Sequence, residues 1–463
     1  MPLASTPEGP SSIIGISFDG LAVSGIVNGF LNLAAVLRGD KLRVLFDLGF
    51  DITAGRTVEL DCAFFPHWVE PIRCIGGTRP RGYSSQIVKE ARDRVIGGTS
   101  IGMSRAYDDV CSDLAKLLVT TFLRENLRFL IVENGTLPDN PLFTEAIYRA
   151  VAEYGARRKL GKYVLWRDHD LMWSAEPHLY GAYPYPGVRK PETGEHIHYA
   201  VMNEWMRKRM QSWAPSATYH VIPNRYLYPA PQQTSRQSLR AAYAIPEDAY
   251  LVARCTRVVP QKTIERDLRL LVELQQRLRA EGNRRKVFLF VTGPTREDKA
   301  EFDRLRSISL QLSIAEQVVW GDGLLPFNTL MLDPILETNR FSIRDLLVES
   351  DLSSFLTSYD YEAFGNPPGE AMAMGVPFIS TTYELYHEVY GSKGAIAPLL
   401  PIDRSSSAGE PIPESFVAWT FRALTDHDYR EQIAKQNMEV CERFFSQEAL
   451  ERQVREIFPD ALD

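Results

Sequence analysis

The sequence predicts an α/β protein made of two Rossmann-like halves, and three observations predict it. Short apolar runs alternate with longer amphipathic ones through most of the chain. The alternation begins afresh past the middle of the sequence. The length of 463 residues exceeds what one core serves, since single hydrophobic cores stop growing at roughly 250–300 residues.

The elements can be justified in order. IIGISF, from Ile13, is followed by a glycine-containing turn and the helical pattern IVNGFLNLAAVL. FLIVE, from Phe129, precedes a turn with Pro138 and Pro141 and then TEAIYRAVAEYGARRK. YVLW from Tyr163 and TYHVIP from Thr218 read as further strands. Apolar runs rich in β-branched residues, separated by helices, indicate parallel sheets covered on both faces. The second series starts with YLVAR from Tyr250 and the long amphipathic DLRLLVELQQRLRAEG. KVFLFV from Lys286, SSFLT from Ser353 and VPFIS from Val376 follow, with helical segments between them. The boundary falls near Pro223-Asn224, giving a first domain over 1–223 and a second over 224–445. SSSAGEPIPE, from Ser405, has the composition of a surface loop. Residues 446–463 are predicted as a C-terminal helix packing back on the first domain, with Ser446 as its N-cap.

Composition narrows the function. Apolar residues make up 44% and charged residues 24%, an ordinary globular balance. A net charge of −7 argues against a general nucleic-acid binder, which needs a concentrated basic surface. The five cysteines are scattered and form no CxxC pair, so neither a disulfide framework nor a zinc site is expected. The opening MPLASTPEGPSS lacks the basic-then-apolar pattern of a signal peptide. No apolar run reaches the ~20 residues that span a bilayer. A cytoplasmic protein without stable membrane insertion is expected, and the sequon Asn134-Gly135-Thr136 is read as coincidental. Self-association is compatible with the sequence.

The most informative stretch is Glu362-Ala-Phe-Gly-Asn-Pro-Pro-Gly-Glu370, followed by AMAMG and VPFIS. Pro367 and Pro368 suit a helix start and Gly375 its end. A helix N-terminus carries unpaired N–H groups and partial positive charge, a seat for phosphate or sugar oxygens. Gly365 and Gly369 would let the backbone approach a ligand closely. Both glutamates could accept hydrogen bonds from sugar and ribose hydroxyls. Upstream, Thr-Arg257-Val-Val-Pro-Gln-Lys262 directly follows the strand YLVAR.

E-x-F-G-x-x-x-x-E followed by A-M-A-x-G-x-P resembles the donor-site signature of retaining glycosyltransferases of the GT-B type, family four. The resemblance implies that Glu362 lies beside the donor sugar and that Glu370 binds the ribose. It also implies that the backbone of Phe364, Gly365 and Asn366 contacts sugar hydroxyls. The Arg257–Lys262 element resembles the family's G-R-x-x-x-x-K, whose cations stabilise the leaving diphosphate; Thr256 stands where the family has glycine. KVFLFVTGP and IRDLLVESDLSSFL are weaker echoes. The likeness covers roughly 215–445 well and the first half loosely.

In the first half, the turn Phe18-Asp-Gly20-Leu-Ala-Val-Ser-Gly25 resembles the family's glycine-rich first loop without its Gly-Gly pair, and Gly25 is the matching position. No G-x-G-x-x-G is present, which argues against dinucleotide binding. YVLW leads into Arg167-Asp168-His169-Asp170-Leu-Met-Trp173, which resembles the H-D-x-x-W form seen after the equivalent strand in several members. There the histidine reaches the donor sugar and its neighbours shape the acceptor pocket, which would place His169 in catalysis and Asp168, Asp170 and Trp173 on the acceptor side. Carboxylates on either side of His169 can orient its ring. Glu133 and Asn134, at the end of the preceding strand, are further lining candidates. The Tyr- and Pro-rich segment from Tyr180 suits either an acceptor channel or a surface loop. His196 and His198 lack a third ligand, so no metal site is expected. The clusters Arg157-Arg158-Lys159 and Arg207-Lys208-Arg209 could meet anionic lipid or a phosphorylated acceptor, but solvated helix faces are the favoured reading.

Taken together, the resemblance implies a GT-B enzyme that moves a hexose from UDP-glucose or GDP-mannose to a small soluble acceptor, with retention and with neither metal nor cofactor. Chain length and the H-D strand end point towards mannosylglucosylglycerate-synthase-like and sucrose-phosphate-synthase-like enzymes. A nucleotide-sugar epimerase or hydrolase of the same fold, and a non-catalytic sugar-nucleotide-binding subunit, are the alternatives.

Overall fold

A computed structural model describes residues 10–18, 25–39, 41–47, 65–72, 80, 82–101, 104–172, 184–192, 194–226, 238–333, 336 and 340–459. The chain divides into two compact units, Met1–Pro223 with Leu450–Asp463, and Asn224–Ala449. Each is built on a twisted parallel sheet with helices in the crossovers, so the two Rossmann-like halves are present.

The first unit holds β1 (Ser12–Ser17), α1 (Gly25–Arg38), β2 (Arg43–Asp47), β3 (Val69–Ile72), α2 (Ser85–Ile96), α3 (Arg105–Arg124), β4 (Leu127–Glu133), α4 (Pro141–Arg158), β5 (Val164–Asp168), β6 (Ile197–Val201), α5 (Glu204–Trp213) and β7 (Tyr219–Val221). Its strand order is β3-β2-β1-β4-β5-β6-β7. β1 is buried along its whole length, as a central strand covered on both faces must be. Helix α1 packs so closely on it that a Cβ at Gly15 would lie 2.3 Å from the Phe30 ring. Helix α4 starts where its residues predict. The Asn140 side chain accepts from the Phe143 amide, and Pro141 fills the first turn, where no amide partner is needed.

The second unit runs α6 (Leu239–Ala242), β8 (Tyr250–Arg254), α7 (Glu265–Ala280), β9 (Val287–Val291), α8 (Lys299–Gln311), β10 (Val318–Trp320), α9 (Thr329–Leu332), α10 (Ile343–Val348), β11 (Leu352–Phe355), α11 (Asn366–Ala373), β12 (Phe378–Thr381), α12 (Tyr386–Val389), β13 (Leu399–Leu400), α13 (Glu414–Thr425) and α14 (His427–Phe445). The order is β10-β9-β8-β11-β12-β13. Leu268, Leu271, Leu274 and Leu278 of α7 recur at helical spacing and pack against Val287, Leu289 and Val291 of β9 in one buried cluster.

The last helix, α15 (Gln447–Ile457), begins where Ser446 Oγ accepts from the Ala449 amide at 3.3 Å. The division between units falls inside it. Gln453 Nε2 donates to the Val221 carbonyl at 3.0 Å, and the Phe458 ring lies 5.2 Å from Phe129. Among the described residues no helix is long and apolar enough to cross a membrane.

Candidate functional site

In the second unit the chemistry collects at the C-terminal ends of the parallel strands, where crossover loops leave the sheet. Lys262 closes a short 3-10 turn after β8, and Glu362 lies in the loop after β11, the neighbouring strand. Lys262 Nζ is ion-paired with Glu362 Oε1, and both side chains are nearly buried, at 12% and 10% exposure. Burial lowers the lysine's pKa against the opposing pull of the glutamate. The Lys262 ammonium also sits 4.8 Å from the Tyr361 ring centre. Beneath it, fully buried Arg254 is 3.0 Å from Asp267 and donates Nη1 to the Ser354 carbonyl at 3.1 Å. Its other arm donates to the carbonyl of Lys262, fixing the turn that carries the lysine.

Arg257 lies five positions earlier, and its guanidinium is ion-paired with Glu297, the Nε–Oε1 distance being 2.7 Å. Thr256 does not adopt a left-handed φ, so the local backbone does not demand the family's glycine. Its hydroxyl is buried and has no partner among the described residues.

Helix α11 begins as its sequence predicts, with prolines in the first turn and Gly375, at φ +64°, past its end. The loop before it is held by tyrosines. Tyr383 donates its hydroxyl to the Phe364 carbonyl at 2.5 Å and Tyr390 to the Gly365 carbonyl at 2.6 Å. The carbonyls are thus occupied, while the amides of Phe364 and Gly365 make no backbone hydrogen bond among the described residues. The Phe364 ring is buried among Tyr226, Tyr390 and Phe445. Asn366 accepts at Oδ1 from Tyr226 Oη and from Asn224 Nδ2, both at 2.7 Å. Its side-chain oxygen is therefore committed to the chain that enters this unit. Glu370 is buried, and burial alone raises its carboxyl to about 8.

The two glycines of this loop need correction. Close approach of a ligand was the sequence-based reason for them, but protein atoms already fill the space. A Cβ at Gly369 would meet the Tyr226 ring at 2.1 Å, and one at Gly365 would meet Phe355 at 2.6 Å and Tyr383 at 2.8 Å. Gly365 also adopts φ +80°, which side chains disfavour.

The first unit gathers a second polar cluster at the ends of β4 and β5, adjacent strands whose register pairs Glu133 with Arg167. Glu133 is fully buried. It accepts from Arg167 Nη2 at 2.7 Å and Nε at 3.0 Å, and its Oε2 is 2.9 Å from His169 Nε2. The Arg167 guanidinium and the His169 ring oppose the burial penalty and hold the Glu133 carboxyl below its usual range. Helix α1 comes close above, so a Cβ at Gly29 would fall 2.3 Å from Arg167 Nη2 and 3.0 Å from His169 Cε1.

Here too the sequence-based expectation is corrected. The carboxylates flanking His169 do not orient its ring; Glu133 does. Asp168 points the opposite way along the pleat and accepts from Thr136 Oγ1 at 2.6 Å and its amide at 3.2 Å. Burial raises Asp168 to about 7. Asp170 accepts from Asn134 Nδ2 at 2.9 Å. Asn134 is buried, at φ 58°, and its Oδ1 accepts from the His169 amide at 2.7 Å. The sequon asparagine is thus a structural bracket for the histidine loop. Glu133 is a buried partner of His169 rather than a lining residue.

Gly25 is the first residue of α1, and most of the glycine-containing loop before it lies outside the described residues, as do Trp173 and the segment from Tyr180 to Tyr183. His198 Nδ1 is 3.3 Å from His220 Nε2, and His196 Nδ1 is 3.1 Å from the Gly161 carbonyl. No cluster of three or more metal-ligating side chains occurs among the described residues. Arg157 pairs with Glu153, and Arg207 with Glu204, as solvated helix faces do. Sequence reasoning missed Arg167, Thr136, Tyr226 and Glu297. Arg167 was legible in R-D-H-D; the others carry no local signal.

No protein-family model matches the chain, and no curated protein matches it. Solved structures do. The glycosyltransferase from Rickettsia africae ESF-5 is similar over 98% of this chain and 99% of that one, with a TM-score of 0.61 and 13% identity. The sucrose-phosphate synthase from Thermosynechococcus elongatus covers 97% and 98%, with a TM-score of 0.60 and 15% identity. Anabaena HepE, solved with UDP-glucose, covers 96% and 99%, with a TM-score of 0.54 and 12% identity. At these identities the likeness is one of fold, and the fold is that of the GT-B glycosyltransferases.

Proposed function

We propose that the chain is a retaining hexosyltransferase of the GT-B family-four type. It takes a nucleotide-diphosphate sugar such as UDP-glucose or GDP-mannose and glycosylates a hydroxyl of a small soluble acceptor. The observation that carries this reading is the Lys262–Glu362 pair, which joins the loops after adjacent strands β8 and β11, with Glu370 buried in the helix that the second loop enters. A carboxylate desolvated without a cation is costly unless a ligand supplies donors. Ribose hydroxyls would do so for Glu370. The unoccupied amides of Phe364 and Gly365 suit sugar oxygens, and Arg257 and Lys262 suit the diphosphate. The H-D-x-x-W resemblance assigns His169, set by Glu133, to the donor sugar and Asp170 and Trp173 to the acceptor. The HepE complex with UDP-glucose supports a nucleotide-sugar ligand for this fold. Cleavage of the bond between the anomeric carbon and the diphosphate, assisted by the two cations, would leave an oxocarbenium-like species; the acceptor hydroxyl would attack that carbon from the same face, its proton passing to the departing diphosphate. No metal or cofactor is required in this scheme.

The test is a thermal-shift screen of UDP, GDP, ADP and their common sugars against the wild type and Glu370→Ala. A ligand at ~100 times its Kd stabilises the native state by about 2.7 kcal/mol. One base should raise the midpoint, the variant should lose the shift, and turnover should need an acceptor and survive EDTA. Silence with every nucleotide would sink the reading. Donor breakdown without an acceptor would favour a hydrolase or epimerase.

A further inference from the structure

Arg257 follows β8, and Glu297 lies in the turn between the neighbouring strand β9 and helix α8, 40 positions further on. Oε1 of Glu297 accepts from Nε of Arg257 at 2.7 Å and also from Nη2. The two side chains are 27% and 11% exposed. Two anchors build the pairing in. A Cβ at Gly293 would lie 2.3 Å from the Thr256 carbonyl oxygen and 2.7 Å from the Arg257 Cα, so the Glu297 turn rests directly on the arginine's backbone. On its other side, Thr295 donates its amide and hydroxyl to Asp322 at 2.8 and 2.6 Å.

The Nε–Nη2 edge is one of the fork faces by which a guanidinium grips a phosphate bidentately. Glu297 occupies that edge, as Glu362 occupies Lys262. A diphosphate oxygen seeking it must displace a carboxylate held at short range in a half-desolvated site. That opening cost is common to every anion. It excludes those that bring no further contacts, and a ligand with ribose and base can offset it elsewhere.

We propose that Glu297 is a masking counter-anion that sets an affinity threshold at Arg257. It masks Arg257 so that simple polyanions are rejected, and only a nucleoside diphosphate with contacts beyond its phosphates opens the Arg257–Glu297 pair. The inference rests on the reading of Arg257 as a diphosphate ligand.

Titration calorimetry with inorganic pyrophosphate, UDP and GDP would test it on the full chain. The set is wild type, Glu297→Gln, Glu297→Ser, Arg257→Met and the double variant Arg257→Met/Glu297→Gln. Removing the Glu297 charge should tighten pyrophosphate about tenfold, equivalent to about 1.4 kcal/mol, with a matching gain for the nucleotide that binds. The gain should vanish in the Arg257→Met background, which separates the local pair from a general change in net charge. An unchanged or weakened pyrophosphate affinity in both Glu297 variants overturns the proposal, as does an equal gain without Arg257. If Arg257→Met binds nucleoside diphosphates as tightly as the wild type, the underlying diphosphate assignment fails instead, and the proposal with it.

Discussion

Replacing Lys262 by methionine removes one partner of a nearly buried ion pair and keeps most of the side-chain volume. Glu362 is then left with the Thr357 hydroxyl, at 3.1 Å, as its remaining recorded partner. Breaking a buried pair from one side costs roughly 3–5 kcal/mol because the surviving charge is uncompensated. The residual exposure of 10–12% and the Thr357 bond place this case near the lower end, about 2–3 kcal/mol. For a unit of this size each kcal/mol moves the melting midpoint by about 2–4 °C, so a loss of roughly 4–12 °C is expected by calorimetry. The double variant Lys262→Met/Glu362→Gln removes both charges and should regain most of that loss. A single variant that melts with the wild type, or a double variant as unstable as the sum of the two singles, would refute the account of a desolvated pair. Under the proposed leaving-group role of Lys262, the same variant should also lower kcat by the equivalent of ~2–4 kcal/mol.

Three other outcomes follow from packing and protonation. Gly369→Ala forces a methyl into the Tyr226 ring and should destabilise the second unit by about 1–3 kcal/mol, with Tyr226→Ala restoring part of it in denaturant melts. Burial holds Glu370 at about 8, far above its unfolded value of ~4.3. The protonated form is favoured in the folded state, so the group's contribution is fully present below about pH 4 and is lost as pH rises through about 8. Glu370→Gln should therefore flatten the fall in stability between about pH 5 and 9; parallel profiles would contradict that. For His198, burial lowers the pKa to about 4, with Lys162 and His220 adding to the shift. Its contribution is present above the unfolded value of ~6.5 and is lost as pH falls towards 4. Because the ring is partly exposed, about 1–2 kcal/mol is expected after discounting for solvent. Its ring lies 5.1 Å from Phe458, just past α15, so hydrogen exchange in that helix should accelerate on acidification and do so less in His198→Gln.

Much of the fold was legible because apolar periodicity is a local signal. β1, β5, β8, β9, β11 and β12 are continuous buried runs, β4 is one from Phe129 onward, and the helices after β1, β4 and β8 show an apolar stripe at 3.6-residue spacing. β2, β3, β10 and β13 were not read. β3, β10 and β13 are edge strands of two to four residues, where few residues are buried and the run is too brief to stand out, whereas β2, next to the edge, has five residues with four buried and was missed all the same. In the loop after β11, Pro367, Pro368 and Gly375 marked the helix limits because proline and glycine act through their own backbone geometry.

By itself the sequence determined the two-sheet α/β architecture, the helix that starts at Asn366, and the residue types Glu362, Glu370, Arg257, Lys262 and His169. Tertiary structure alone decided their partners. Glu133 meets His169 because β4 and β5 are neighbours in the first sheet. Glu297 meets Arg257 because β9 lies beside β8, and Lys262 meets Glu362 because β11 lies on the other side. Gly369 is required by a tyrosine that enters from far upstream. The physical reason is one of range. Periodicity and turn chemistry act over a few residues, whereas charge pairing and close packing depend on which distant strand ends the sheet order brings together.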